Sequence, residues 1–162
     1  MTRTLTPSAS FTRPADTLTY AVGDLIANNV TAGSVVPMAF SLTRGGRDAF
    51  SYQLHSVELK KSQVIATLAS FTLHLFKRSP VVINGDNGAL AVANLNNYVG
   101  TVPLDLTTGG ILIAGTEIVK TFPLTLPLFM DAPEKVVYGL LAANAIYVPP
   151  SAEVYTIRLG VV

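Results

Sequence analysis

Two histidines, His55 and His74, are where chemistry would first be sought in this chain, because both fall in adjacent strand-like runs. On one face of one sheet they would offer an acid–base pair or two metal ligands. A mononuclear metal site needs a third ligand, and neither an H-x-H nor an HExxH spacing is present. Ordinary strand-face hydrogen bonds are the expected role. The loop Asn84-Gly85-Asp86-Asn87-Gly88 has the look of a calcium loop. An EF-hand loop ends in a bidentate Glu, and the corresponding position here is Leu95, so these Asn and Gly residues read as a tight turn. The glycines of residues 109–115 lack the strand–GxGxxG–helix setting and a Walker lysine. Asp16 and Asp24 are close in sequence, which alone does not make a glycosidase pair. The chain has no cysteine, hence no thiolate nucleophile, Cys-ligated zinc or disulfide. The reading is of a non-enzyme with no catalytic residue, no metal and no cofactor.

Composition points instead to packing and assembly. Of the 162 residues 49% are hydrophobic and 13% charged, with a mean hydropathy of +0.46. That length fits one domain with a substantial core. Net charge is +1, and the densest basic clusters are the pairs Lys60-Lys61 and Lys77-Arg78, read as solvated strand ends. A nucleic-acid surface needs a stripe with several phosphate contacts, so no nucleic acid is expected as a partner. The first 16 residues have no apolar core of a signal peptide. The longest apolar stretch, residues 136–150, is broken by Gly139 and Asn144 and is too short to span a membrane. The chain reads as soluble, with no membrane partner.

Apolar residues alternate in short runs, as strands require. Phe71, Leu73 and Leu75 share one face and Thr72, His74 and Phe76 the other. Residues 51–59 alternate similarly, and further strands are expected over residues 19–27, 35–43, 64–67, 98–106, 117–128, 136–141, 145–148 and 154–161. Gly, Pro and Asn clusters punctuate them. Only residues 79–93 offer room for a short helical turn. Such a pattern predicts an all-β, single-domain β-sandwich of the jelly-roll kind over residues 17–162, with an extended N-terminal arm over residues 1–16. The arm is either a floppy tail or a segment that orders on a partner through Leu5, Phe11 and Arg13. Residues 122–129 combine Phe122, Leu124, Leu126 and Phe129 with Pro123 and Pro127. Proline cannot donate to a central ladder, so this is an edge strand or arm. Its apolar side chains face either a subunit contact or the molecule's own core, the prolines then serving to block pairing.

Several segments, taken in order, resemble small virion proteins encoded in the structural gene blocks of tailed bacteriophages. They are Phe11-Thr12-Arg13-Pro14, Tyr20-Ala21-Val22-Gly23-Asp24-Leu25-Ile26-Ala27, Ser62, Phe71-Thr72-Leu73-His74-Leu75-Phe76, Ser79-Pro80, Asp86-Asn87-Gly88-Ala89, Asn97-Tyr98-Val99-Gly100 and Val137-Tyr138-Gly139-Leu140-Leu141. The pattern is similar to that of capsid decoration, or cement, proteins. The resemblance implies a subunit, often trimeric, that sits on the outer capsid surface and clamps neighbouring capsomers. Its partners would be the major capsid protein and its own copies in a homotrimer, and it would be made in the bacterial host cytoplasm. It implies no catalytic residues. Related sandwiches recur in tails and fibres, so a receptor- or carbohydrate-binding module stays as the alternative.

Overall fold

The computed structural model describes residues 4–43, 51–62, 70–108, 111–113, 117–131 and 135–162; for Ser51, Ile111, Leu112, Ile113, Leu126, Pro127, Met130 and Asp131 it describes the backbone alone. The described residues form ten strands and no helix: β1 (Ser8–Thr12), β2 (Leu25–Ile26), β3 (Met38–Ser41), β4 (Ser51–Ser62), β5 (Ser70–Phe76), β6 (Tyr98–Asp105), β7 (Ile111–Ile113), β8 (Glu117–Asp131), β9 (Val136–Ala143) and β10 (Val154–Val161). One sheet runs β1-β10-β4-β8-β7. The other runs β2-β9-β5-β6, with β3 pairing β9 beside β2. All the strand pairs are antiparallel.

This order defines a jelly roll. If β2 and β3 are taken as one interrupted strand and β7 as an added hairpin arm, eight strands remain. Four fall in each sheet, β1, β10, β4 and β8 in the first and β2/β3, β9, β5 and β6 in the second, with the first and last strands lying side by side, as two Greek keys require. The expected sandwich is therefore present. The run expected over residues 64–67 lies outside the described residues. No helical turn forms over residues 79–93; Val82 bridges Val92 there in a small ribbon, because its β-branched residues pair more readily than they coil.

Alternation decides which side chains meet. Val57 and Leu59 of β4, Tyr155, Ile157, Leu159 and Val161 of β10, and Phe71, Leu73 and Leu75 of β5 point between the sheets into one buried cluster. Each fully buried Leu or Phe stabilises the fold by about 1.5–3 kcal/mol. Gly139 of β9 permits this packing: a Cβ there would lie 3.0 Å from the Phe40 ring and 3.1 Å from Leu73. The opposite face of the second sheet is not wet either. Phe76, Leu140 and, in part, Tyr138 pack beneath Leu25, Ala27, Val35 and Val82, so the connections before β3 and after β5 form a cover over it.

The N-terminal segment is laid along its own molecule. β1 pairs β10 from Ser8↔Arg158 to Thr12↔Val154, and Leu5 continues the ladder by bonding Val161 in both directions (2.7 and 2.9 Å).

Candidate interaction surface

The charged residues nearest the core lie at one end of the sandwich, and alternation puts them there. Arg13 follows Ala9 and Phe11 on the inner side of β1. Lys61 follows Val57 and Leu59 on β4, and Glu153 precedes Tyr155 and Ile157 on β10. Because β1, β10 and β4 are neighbours, a cation, an anion and a cation stand in a row. Arg13 is 2%, Lys61 1% and Glu153 0% exposed.

Each charge is enclosed by partners. The Lys61 ammonium donates to Glu153 Oε1 (2.5 Å) and to the Tyr147 hydroxyl (2.7 Å). Tyr147 and Tyr155 donate to Glu153 Oε2 at 2.5 and 2.6 Å. Arg13 donates through Nε to the Tyr20 hydroxyl (2.9 Å), through Nη2 to Asp16 (2.6 Å), and through Nη1 to the carbonyls of Asp16 (2.5 Å) and Pro150 (3.2 Å). Asp86 lies 3.4 Å from Arg13 Nη2. Its other oxygen accepts from the Tyr20 hydroxyl and the Ala27 N–H, both at 2.7 Å. The rings of Tyr20 and Tyr147 stack between the two clusters at 6.3 Å. Among the described residues no buried side-chain polar atom lacks a partner. An ion pair left half-satisfied in this setting would cost several kcal/mol, so full pairing is what makes the arrangement tenable.

Proton affinities follow from the enclosure. Burial first, then the neighbouring carboxylate, pushes the hydroxyls of Tyr20 and Tyr147 up; burial, reinforced by Tyr147 and Glu153, does the same for Tyr155. All three therefore act as hydrogen-bond donors. Burial also pushes the Asp86 carboxyl up, against the Ala27 N–H and Tyr20 hydroxyl that favour its charged form. At Asp16 burial acts the same way but is outweighed by the hydrogen bonds from Arg13 and the Leu18 N–H, which hold the group below its ordinary value. Lys61 and Glu153 are sealed from solvent, so no substrate reaches them; their role is structural.

These clusters hold two loops. Residues 20–24 run against residues 143–147, with Tyr20 and Tyr147 bonded both ways (2.8 and 3.2 Å) and Gly23 N–H on the Ala143 carbonyl (2.8 Å). Tyr20 and Tyr147 point inward. On the same paired loops Ile146 is 73%, Val22 65%, Leu18 59% and Val148 47% exposed. The result is a set of apolar side chains displayed on a stiffened platform.

The residues singled out in the sequence fall into two groups that do not meet. Leu5 and Phe11 are half-buried against the core, and Phe11 stacks on Tyr155 at 5.3 Å. Arg13 beside them is engaged internally, which corrects its expected role as a partner contact: the guanidinium is spent on Asp16, Asp86 and Tyr20. Phe122 and Leu124 lie on β8, half-buried against the same core. The Leu126 side chain lies outside the described residues, and Phe129 is 66% exposed. Two strands separate β1 from β8, about 14 Å at the usual spacing. Among the described residues the β8 stretch is an edge, since β7 pairs only Glu117–Val119. Residues 124–127 bulge out opposite the single residue His55, between the pairs Leu54↔Leu128 and Ser56↔Pro123. Phe122 and Leu124 thus face the core while the prolines interrupt the edge.

Of the remaining charged and titratable residues, one expectation is corrected, the solvated strand end at Lys61. His55 and His74 belong to different sheets and face away from each other: His55 is exposed on β4, and His74 lies on the outer side of β5 beside Tyr98. Lys61 is not a solvated strand end, although Lys60 is, paired with Glu117 at 2.8 Å. Residues 84–88 turn tightly, as read from the sequence, and Asp86 within them directs its carboxylate inward to Arg13 and Tyr20. Among the described residues no three His, Asp or Glu side chains group as metal ligands would. Leu18, Val22, Ile146 and Val148 escaped the sequence reading; their one signal was apolar residues placed next to turn formers.

No family model matches the chain, and no curated protein matches it. Among solved structures it is similar to the heated full particle of Israeli acute paralysis virus (TM-score 0.34, 15% identity, covering 98% of this chain and 71% of that one). It is also similar to the decameric BFDV capsid protein (TM-score 0.29, 11% identity, 98% and 96%) and to Triatoma virus (TM-score 0.28, 11% identity, 91% and 63%). The strand order itself, and not these distant likenesses, defines the class: an eight-stranded jelly roll with one added hairpin arm.

Proposed function

We propose that this chain is a non-enzymatic virion structural protein, and specifically a capsid decoration protein that binds the outer shell across capsomers. Jelly rolls serve viral capsids but also lectins and cupins, so the fold alone does not choose. The observation that carries the choice is the loop end: buried, fully paired ions hold Leu18, Val22, Ile146 and Val148 out toward solvent. Apolar side chains on a rigid mount suit protein docking, whereas a sugar site needs convergent polar groups. The ordered resemblance from Phe11 to Leu141 to phage virion proteins supports the same reading, with the major capsid protein and further copies of the chain, in a homotrimer, as partners.

The test adds purified chain to particles that lack it and counts bound copies after sedimentation. Wild type is expected to bind saturably. Leu18→Ser with Ile146→Ser, unchanged in thermal unfolding, is expected to bind at least tenfold more weakly, since tenfold corresponds to about 1.4 kcal/mol and each apolar side chain is worth about that on burial. Equal binding by the variant rejects the loop end as the docking surface, and no binding by wild type rejects the decoration reading.

A further inference from the structure

Charge is distributed unevenly over this sandwich. Residues 25–43 and 79–104 supply β2, β3, β6 and the cover over the second sheet. Together they contain one charged residue, Asp86, which is 7% exposed and bound to Arg13, Tyr20 and Ala27. Every other position in these stretches is uncharged, with Asp24, Arg44, Lys77, Arg78 and Asp105, the last residue of β6, standing at their borders in the sequence. The outer face of the first sheet is the opposite: Glu58 with Arg158 and Lys60 with Glu117 form ion pairs across it, and Ser8, Ser10 and Thr12 are exposed there.

The uncharged side also displays apolar groups. Val81 is 68%, Val36 67%, Leu95 65%, Val30 57% and Ile83 49% exposed. The two stretches are locked together, because Asp86 N–H bonds the Asn29 carbonyl at 2.7 Å and a Cβ on Gly85 would lie 2.0 Å from the Val30 oxygen. They form one layer, not two independent loops.

From this we infer that the uncharged layer is a self-association surface, where copies of this chain converge about a symmetry axis. Near such an axis identical residues approach one another, so an exposed charge close to it meets its own kind. A layer whose single charge is buried and paired meets its copy without that penalty, whereas the first sheet's face would bring Glu58 and Lys60 toward like groups. Size is sufficient: a stable complex takes about 800 Å² from each partner, roughly a tenth of a small protein's surface, and one broad side of a molecule exposing 8054 Å² offers that much. Pro103 on β6 lacks an N–H and so disfavours strand addition along that edge. Face-to-face packing remains, driven by apolar burial. The inference concerns the free chain and holds whether or not it sits on a virion.

Sedimentation velocity on the full chain, at concentrations up to about 100 μM and in low and about 1 M sodium sulfate, reads it directly; sulfate strengthens apolar burial. An oligomer with a mass that is a multiple of 17.1 kDa, tightened by sulfate, is expected. Val36→Asp with Val81→Asp should raise its dissociation constant at least tenfold, while Ser10→Asp on the charged face should leave it unchanged. If the aspartates prevent folding, Val36→Ser with Val81→Ser takes their place. A monomer under all these conditions, an oligomer that salt dissolves, or one indifferent to the Val36 and Val81 changes overturns the inference. Binding of particles by a strictly monomeric chain would overturn it while leaving the decoration reading intact.

Discussion

Replacing Lys61 by Met tests the buried row of charges most cleanly, because Met matches the length of the lysine stem and removes only the cation. Glu153, 0% exposed, would keep the hydroxyls of Tyr147 and Tyr155 but lose its countercharge. Arg13 cannot replace it, being occupied by Asp16 and Asp86. Removing one partner of a buried pair costs about 3–5 kcal/mol, against a total stability of about 5–15 kcal/mol for a domain. At about 2–4 °C per kcal/mol for a chain of this size, the melting temperature should fall by about 6–20 °C. Glu153→Gln should act in the same direction, and the double variant should cost less than the sum by about 1–3 kcal/mol, because the second change removes a charge already stranded. Urea unfolding with midpoints and slopes measures all four proteins. A Lys61→Met variant within about 1 kcal/mol of wild type, or strict additivity in the cycle, would refute the claim that these two charges sustain each other in the interior.

Gly85→Ala should destabilise by about 1–3 kcal/mol or more, because its Cβ would overlap the Val30 carbonyl at 2.0 Å and backbone must move; chemical denaturation checks this, and a neutral outcome would mean the two stretches of the cover are not locked. Phe11→Ala should cost about 2 kcal/mol through the lost stack on Tyr155 and half-buried area, and should raise hydrogen exchange along β1 before β10. Asp16 has a folded-state affinity for protons below the ordinary value near 3.8, so the unfolded chain binds the proton first. Its contribution is present above that ordinary value and is lost as pH falls below it; Asp16→Asn should therefore flatten the acid limb of the stability curve measured between about pH 2 and 6.

Much of the fold was legible as alternation. The inward faces Phe71-Leu73-Leu75 and Tyr155-Ile157-Leu159 are written in the sequence, and the edge character of residues 122–129 follows from two prolines. The same rule, followed one step further, would have placed Lys61 two residues beyond Leu59 and Glu153 two residues before Tyr155 on the inner face. The sequence alone does not show this, because charged residues at strand ends are usually solvated, and only the pairing of β4 with β10 reveals that the two charges meet. Strand order was illegible for a related reason: β1 and β10 come from opposite ends of the chain, and nothing local in either says that they pair. His55 and His74 show the same limit, since β4 and β5 follow each other in sequence but lie in different sheets. The displayed residues Leu18, Val22, Ile146 and Val148 could not be told from core residues until Tyr20 and Tyr147 were seen to take the inward positions.

The proposal that this chain is part of a virion shell is tested most directly by its copy number in purified virions, measured by quantitative mass spectrometry against the major shell protein. A decoration role requires a number within a few-fold of the shell protein. A handful of copies per particle would move the chain to a tail or vertex, and complete absence from particles would contradict the virion assignment itself.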